Sequence, residues 1–167
     1  FSIVRYGNVM SSRGSVIPVF KKNVQEGKNF LITSPKMTRF NITLENCIKT
    51  VIWTLQNSSG GEIVIRKSPS YKIIDLARAI SNKNKFKVIG IRPGEKVHEE
   101  LVSKNEDYFV FEKNDYFILI NKTMENNLKK IKAKMKLNKS IKPFSYNSET
   151  NKFFLSVKQI KDLLKKT

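Results

Sequence analysis

The chain has 167 residues, 40% of them hydrophobic and 10% aromatic, enough to bury a core and to exclude a disordered or fibrous class. Its formal net charge of +18 comes from 26 Lys and 6 Arg against 14 acidic residues. One cysteine, Cys47, excludes a disulfide framework, and no apolar run approaches the roughly 20 residues that span a bilayer.

The elements follow in order. Phe1, Ile3 and Val4 read as an interior strand with no start methionine or helix signal before it, so its partners are expected upstream of residue 1 and the chain is expected to be a fragment. Ser11 to Ser15 is a turn, and a helix follows from Val16 to about Gln25, with Ser15 at its N-cap and Gly27 as its stop. Phe30 to Thr33 is a short strand, and Met37 to Thr43 is extended. A second helix, Leu44 to Asn57, is capped by Thr43, and Leu44, Ile48, Val51, Ile52 and Leu55 fall at helical spacing. Trp53 and Cys47 read as core or rim residues.

Gly60-Gly61 breaks the chain before a strand at Glu62 to Arg66. Ser70 is expected to start a third helix running to about Ser81, and a strand covers Phe86 to Ile91. Glu95 to Leu101 reads as a short helix. Tyr108 to Phe111 and Tyr116 to Ile120 make a hairpin across residues 112 to 115. Asn121 to Ser140 is basic with Leu128, Ile131 and Met135 at helical spacing, and Ser156 caps a last helix, Val157 to Lys165. Alternating strands and helices over residues 1 to 92 argue for α/β layering.

Such a charge invites a nucleic-acid reading. The lysines spread along helix faces and Asn-rich loops, densest from Lys122 to Lys142, and no nucleic-acid motif accompanies them. A solvated face is the cheaper explanation. Arginines are placed differently: Arg5, Arg13, Arg39 and Arg92 lie in short non-periodic segments beside Gly, Ser, Thr or Pro. A guanidinium grips phosphate in two places where a lysine cannot, so these four are expected to converge on one anion, surface or packing arginine being the alternative for each.

Two segments stand out as ligand-binding candidates. The Ser11–Ser15 loop lies at a helix N-terminus, where unpaired N–H groups suit a phosphate. Arg92-Pro93-Gly94-Glu95 forms a tight turn after a strand, where open α/β sheets place ligand loops. Arg92 there grips a diphosphate and Glu95 accepts sugar hydroxyls, or else the two simply pair to fix the turn. His98 is the only histidine, so no histidine triad or multi-histidine metal site is available, and no metal is expected. The chain also has no Gly-x-Gly-x-x-Gly and no nucleophile elbow.

Four motifs in order then resemble one family: Arg5-Tyr6-Gly7-Asn8-Val9, Ser12-Arg13-Gly14-Ser15-Val16-Ile17-Pro18, Met37-Thr38-Arg39-Phe40 and Ile89 to Lys96. The chain is similar to the C-terminal half of inverting UDP-N-acetylglucosamine 4,6-dehydratases, polysaccharide-biosynthesis enzymes of the extended short-chain dehydrogenase/reductase superfamily. The match covers residues 1 to about 104, with Ser145 to Ser148 and Phe154 to Val157 resembling the closing segment. This implies an α/β fold, the last strands of a Rossmann sheet plus a small substrate-binding lobe, truncated at the N-terminus. Residues 1–104 would carry the sheet and the lobe, and 105–167 a basic extension with a hairpin and helices.

The resemblance implies an enzyme using NADP. It takes hydride from sugar carbon 4, which acidifies the carbon 5 proton, eliminates water across carbons 5 and 6, and returns hydride to carbon 6. Carried over by position, Asn8 contacts the substrate, Ile17 and Thr33 line the uridine and sugar pocket, Arg39 and Arg92 bind the diphosphate, and Glu95 holds the nucleotide hydroxyls. Val9, Met10, Ser11, Ser12 and Arg13 face the cofactor. Ser11 stands where the pattern usually has Gly, and a serine costs little there if the local φ is negative.

The family's Gly-rich motif, its Tyr-x-x-x-Lys pair and its elimination residues would lie upstream, so the chain alone is expected to be inactive. The implied partner is a UDP-sugar, with neither nucleic acid nor membrane; the expected location is the cytoplasm, and the full-length parent is expected to be a homo-oligomer. A nucleotide-sugar epimerase or retaining dehydratase is the alternative within the family, and a basic nucleic-acid-binding module the alternative outside it.

Overall fold

A computed structural model describes residues 1–141 and 144–166. Lys142, the end of the basic stretch, lies outside the described residues. In chain order the elements are β1 (Ile3–Arg5), α1 (Val16–Gln25), β2 (Phe30–Ile32), β3 (Thr38–Phe40), α2 (Leu44–Asn57), β4 (Glu62–Arg66) and β5 (Ser70–Lys72). They continue as α3 (Ile73–Ile80), β6 (Phe86–Val88), β7 (Glu100–Val102), β8 (Tyr108–Lys113), β9 (Tyr116–Asn121), α4 (Glu125–Met135) and α5 (Val157–Leu164).

These elements divide into two compact units, each drawn from three stretches of chain, so neither follows the sequence division at residue 104. One comprises Phe1–Tyr6, Thr43–Lys67 and Glu100–Tyr146. Its sheet has the order β1-β4-β9-β8, with β1 parallel to β4 and the other pairs antiparallel. β4 and β9 are almost wholly buried because Val64, Ile118 and Ile120 pack against Phe111, Ile131, Met135 and Leu137. The basic helix α4 therefore belongs to this core through Ile131 and Met135, with its lysines outside. Between β8 and β9 the turn is only Asn114-Asp115, and Asn114 takes the left-handed conformation (φ 50°) that asparagine tolerates.

α2 starts where Thr43 Oγ1 accepts from the Asn46 N–H at 3.2 Å, a cap of about 1 kcal/mol. It buries Cys47, Thr50 and Thr54, and Trp53 stacks on Tyr116 with ring centroids 4.3 Å apart. The Leu44, Ile48, Val51, Ile52 and Leu55 stripe is exposed. Arg5 is committed within this unit: its guanidinium donates to the Leu101 carbonyl at 2.8 Å and to Glu106 at 2.9 Å.

Gly7–Ile42, Ser68–Glu99 and Asn147–Thr167 form the second unit. Its core joins Ile17 and Phe20 of α1, Phe30 and Ile32 of β2, Leu76 and Ala77 of α3 and Ile160 of α5 around Met10, Met37 and Tyr71. β2 pairs parallel with β6, and β3 antiparallel with β5. α5 carries a full capping box between Ser156 and Gln159.

Two sequence expectations are overturned in this unit. Ser70 begins a strand, because Ser70–Lys72 pairs with Thr38–Phe40, and the helix starts only at Ile73. Glu95 to Leu101 is not helical. Its backbone is spent on neighbours: the Val97 carbonyl accepts from the Thr38 N–H at 3.0 Å, and the Glu99 N–H donates to Ser148 Oγ at 2.8 Å. Among the described residues no helix is long and apolar enough to cross a membrane, and no group of three His, Cys, Asp or Glu side chains is arranged to hold a metal.

Candidate functional site

The second unit contains a cavity of about 460 Å³, within the range of small-molecule sites. Asn8, Ile17, Thr33, Arg39, Arg92 and Glu95 line it, together with Val9 and Met10. Ser11, Ser12 and Arg13 do not. Of the four arginines expected to converge, Arg39 and Arg92 meet here, whereas Arg5 is bound to Glu106 in the other unit.

Local structure explains how these side chains arrive. The Asn8–Met10 segment lies beside Ile42: Ile42 N–H donates to the Asn8 carbonyl and Met10 N–H to the Ile42 carbonyl at 2.8 Å. Two turns then lead into α1, the Ser12 N–H donating to Val9 and the Ser15 N–H to Ser12. Ser15 holds the N-cap position, yet its hydroxyl caps nothing, and Gly14, Ser15 and Val16 all line the cavity. The Ser15 side chain therefore leaves the first N–H groups of α1, the partially positive end of the helix, uncapped.

Ser11 does not meet the condition of a negative φ. Its φ is 59°, not negative, so a serine occupies the left-handed conformation for which the family pattern supplies glycine. Its Oγ and that of Ser15 are both shielded from solvent and lack a hydrogen-bond partner.

On the opposite wall, Arg92-Pro93-Gly94-Glu95 is a tight turn closed by the Glu95 N–H donating to the Arg92 carbonyl at 3.0 Å, with Gly94 at φ 77°. That is the type II arrangement that Pro followed by Gly favours. Thr33 Oγ1 donates to both Glu95 carboxylate oxygens, at 3.1 and 3.0 Å, and fixes their direction. No ion pair joins Arg92 to Glu95. The Arg92 side chain is exposed and, among the described residues, its guanidinium has no hydrogen-bond or ion-pair partner.

Arg39 is the reverse case. Nη1 donates to the Thr38 carbonyl at 2.7 Å and the Val97 carbonyl at 3.0 Å, and Nη2 to the Lys96 carbonyl at 2.9 Å. Most of its donors are therefore spent on backbone, and it ties the segment after the Arg92 turn to β3. One Nη2–H and the Nε–H remain, the latter 4.0 Å from Glu99 Oε1.

Sequence reasoning missed the groups behind this wall. Glu99 accepts from the Phe40 N–H at 2.9 Å, and its pKa is raised by burial, against the lowering effects of that hydrogen bond and of Arg39. The Tyr71 hydroxyl is pushed far up by burial and by the Glu99 charge. The Thr38 hydroxyl lies 2.8 Å from His98 Nδ1 and 2.7 Å from Ser148 Oγ, which gives His98 a structural place. In the sequence, the only sign of Glu99 was its position just after the fourth motif.

A sequence model of the family described as "Polysaccharide biosynthesis protein" matches residues 1–122. The chain is 40% identical over 172 aligned positions, 100% of its length, to a UDP-N-acetylglucosamine 4,6-dehydratase (inverting) from Campylobacter jejuni subsp. jejuni serotype O:2, and covers 52% of that protein. It is 41% identical over 119 positions, 69% of its length, to a UDP-glucose 4-epimerase from Rickettsia canadensis, covering 35% of it. The X-ray structure of Pen from Bacillus thuringiensis superposes on all of the chain with a TM-score of 0.80 at 31% identity, over 49% of that protein. The chain thus spans about half the length of the curated dehydratases it matches.

Proposed function

The chain belongs to the polysaccharide biosynthesis family of nucleotide-sugar dehydratases and epimerases, and from this premise we propose that it is the nucleotide-sugar-binding half of an inverting UDP-N-acetylglucosamine 4,6-dehydratase. The observation that carries the reading is the single cavity shared by Asn8, Ile17, Thr33, Arg39, Arg92 and Glu95. In it Arg92 grips the diphosphate with a guanidinium that has no partner among the described residues. Arg39 adds its remaining Nη2–H and its charge. Glu95, aimed by Thr33, accepts the nucleotide hydroxyls, Ile17 packs against the uridine and sugar, and Asn8 contacts the sugar.

NADP supplies the hydride acceptor in this reading. Val9 and Met10 reach the cavity and suit the nicotinamide side; Ser11, Ser12 and Arg13 lie outside its lining, and the sequence has neither a Gly-rich phosphate loop nor a Tyr-x-x-x-Lys pair. The chain alone therefore binds substrate without turning it over. A complete parent is a homo-oligomeric, cytoplasmic lyase that forms a 4-keto-6-deoxy UDP-sugar for surface glycan.

Calorimetric titration of the purified chain with UDP should show binding, and incubation with UDP-N-acetylglucosamine and NADP should give no 4-keto product. Absence of UDP binding overturns the site, and product formation overturns the division of labour. A second reading, a nucleotide-sugar 4-epimerase, is supported by the Rickettsia relative; the alignment over the full chain favours the dehydratase. Analysis of carbons 4 to 6 in the product of a complete protein carrying this half separates the two.

A further inference from the structure

Glu99 does not line the cavity, yet it touches two side chains that do. Its side chain is 22% exposed. The carboxylate accepts from the Phe40 N–H at 2.9 Å and stands 4.0 Å from Arg39 Nε. The Asn8 amide faces the same carboxylate, and donor meets acceptor only when the Asn8 NH2 is turned toward Glu99. Gly7 permits this approach: a Cβ there would stand 2.8 Å from Phe40 Cβ and 3.2 Å from Glu99 Oε2.

We propose that Glu99 is a positioning residue that holds the Asn8 amide with its nitrogen toward the protein and its oxygen toward the cavity, so that the site offers the ligand's sugar a hydrogen-bond acceptor. An asparagine amide has a donor end and an acceptor end of nearly the same shape, so a neutral neighbour could satisfy either orientation. An ionised carboxylate only accepts, which selects one. The ligand group that fits the presented oxygen is a donor, either a sugar hydroxyl or the N–H of an acetamido substituent. This inference rests on the nucleotide-sugar reading of the cavity.

Glu99→Gln makes the proposal testable because it keeps the shape and removes the selection. The glutamine carbonyl stays on the Phe40 N–H, its NH2 then faces Asn8, and the Asn8 amide turns over to accept. UDP-N-acetylglucosamine binding to the variant should fall about tenfold, the scale of one lost hydrogen bond, while UDP, which lacks the sugar, keeps its affinity within about twofold. An equal loss for both ligands means that Glu99 merely supports the fold, and overturns the proposal.

A ligand-free measurement decides independently. The Asn8 side-chain NH2 resonances, identified by their loss in Asn8→Asp, should move as Glu99 titrates, and in Glu99→Gln should be displaced and insensitive to pH. The ionisable groups facing the carboxylate among the described residues are Arg39 on β3 and Tyr71 on β5, and the Tyr71 hydroxyl, pushed far up by burial, stays neutral while the carboxyl titrates. Resonances that coincide in the two proteins overturn the proposal. Should the chain bind neither nucleotide, the nucleotide-sugar reading fails, and the Asn8 resonances still decide the role of Glu99.

Discussion

Arg39 Nη1 donates to the Val97 carbonyl at 3.0 Å, the same oxygen that receives the Thr38 N–H, so one guanidinium pins the segment that follows the ligand turn onto β3. A planar fork can serve the Thr38, Lys96 and Val97 carbonyls together, whereas an ammonium cannot reach all three in one geometry. Arg39→Lys should cost about 2 kcal/mol, and amide exchange at Thr38 should accelerate accordingly. Unchanged protection of that amide would falsify the clamp.

Arg92 predicts the opposite pattern. Its side chain is exposed and its guanidinium has no partner among the described residues, so Arg92→Ala leaves the melting temperature within about a degree. UDP affinity should drop tenfold or more through loss of the charged fork on the diphosphate. Equal affinity in calorimetric titration removes Arg92 from the site.

Glu99 sets the sign of a pH effect. Burial raises its pKa above the ordinary 4.5, with the Phe40 N–H and Arg39 opposing. Below the ordinary value both folded and unfolded chains hold the proton, and the group contributes nothing. As pH rises, the unfolded chain releases its proton first, so the folded state loses stability until the raised folded value is passed. Glu99→Gln cannot titrate, so its melting temperature relative to the parent should climb across that window; a relative fall would show that the folded carboxylate is favoured.

How much of this was legible in the sequence follows from the range of the forces involved. Local signals were readable: the Thr43 and Ser156 caps, the Pro93-Gly94 turn and the hairpin closing at Asn114-Asp115 all depend on residues within a few positions of one another. Ser70 was misread because its helical pattern continues into α3, while pairing with Phe40, thirty positions away, takes its backbone. The role of Glu99 was unreadable for the same reason: its place after the fourth motif was visible, but its meaning lies in Asn8, Arg39 and Phe40, all more than fifty positions distant. The arginines divide likewise: composition marked four as unusual, and only tertiary pairing distinguishes Arg5, held by Glu106, and Arg39, held by carbonyls, from Arg92.

Ser11 is where sequence pattern and backbone disagree, and that makes it the sharpest stability test. A non-glycine residue at φ 59° pays about 1 kcal/mol for its Cβ, and its shielded, unpartnered hydroxyl adds a further cost of about 1 kcal/mol. Ser11→Gly removes both, offset by the greater freedom of glycine in the unfolded chain, about 0.5–1 kcal/mol. The balance is a gain of about 1 kcal/mol. Ser11→Ala removes the hydroxyl but keeps the Cβ in the left-handed conformation, so it too should gain about 1 kcal/mol, within about 0.5 kcal/mol of glycine, whose relief of the Cβ is largely offset by its unfolded-chain freedom. Native-state exchange of the Met10 amide, which donates to the Ile42 carbonyl at 2.8 Å one residue before the strained position, reads the effect locally. Protection should rise about fivefold from Ser to either variant, with Gly equal to Ala or slightly above it. An alanine variant no better protected than the parent would show that the hydroxyl costs nothing, and a glycine variant less protected than the parent would mean that Ser11 is not strained at all.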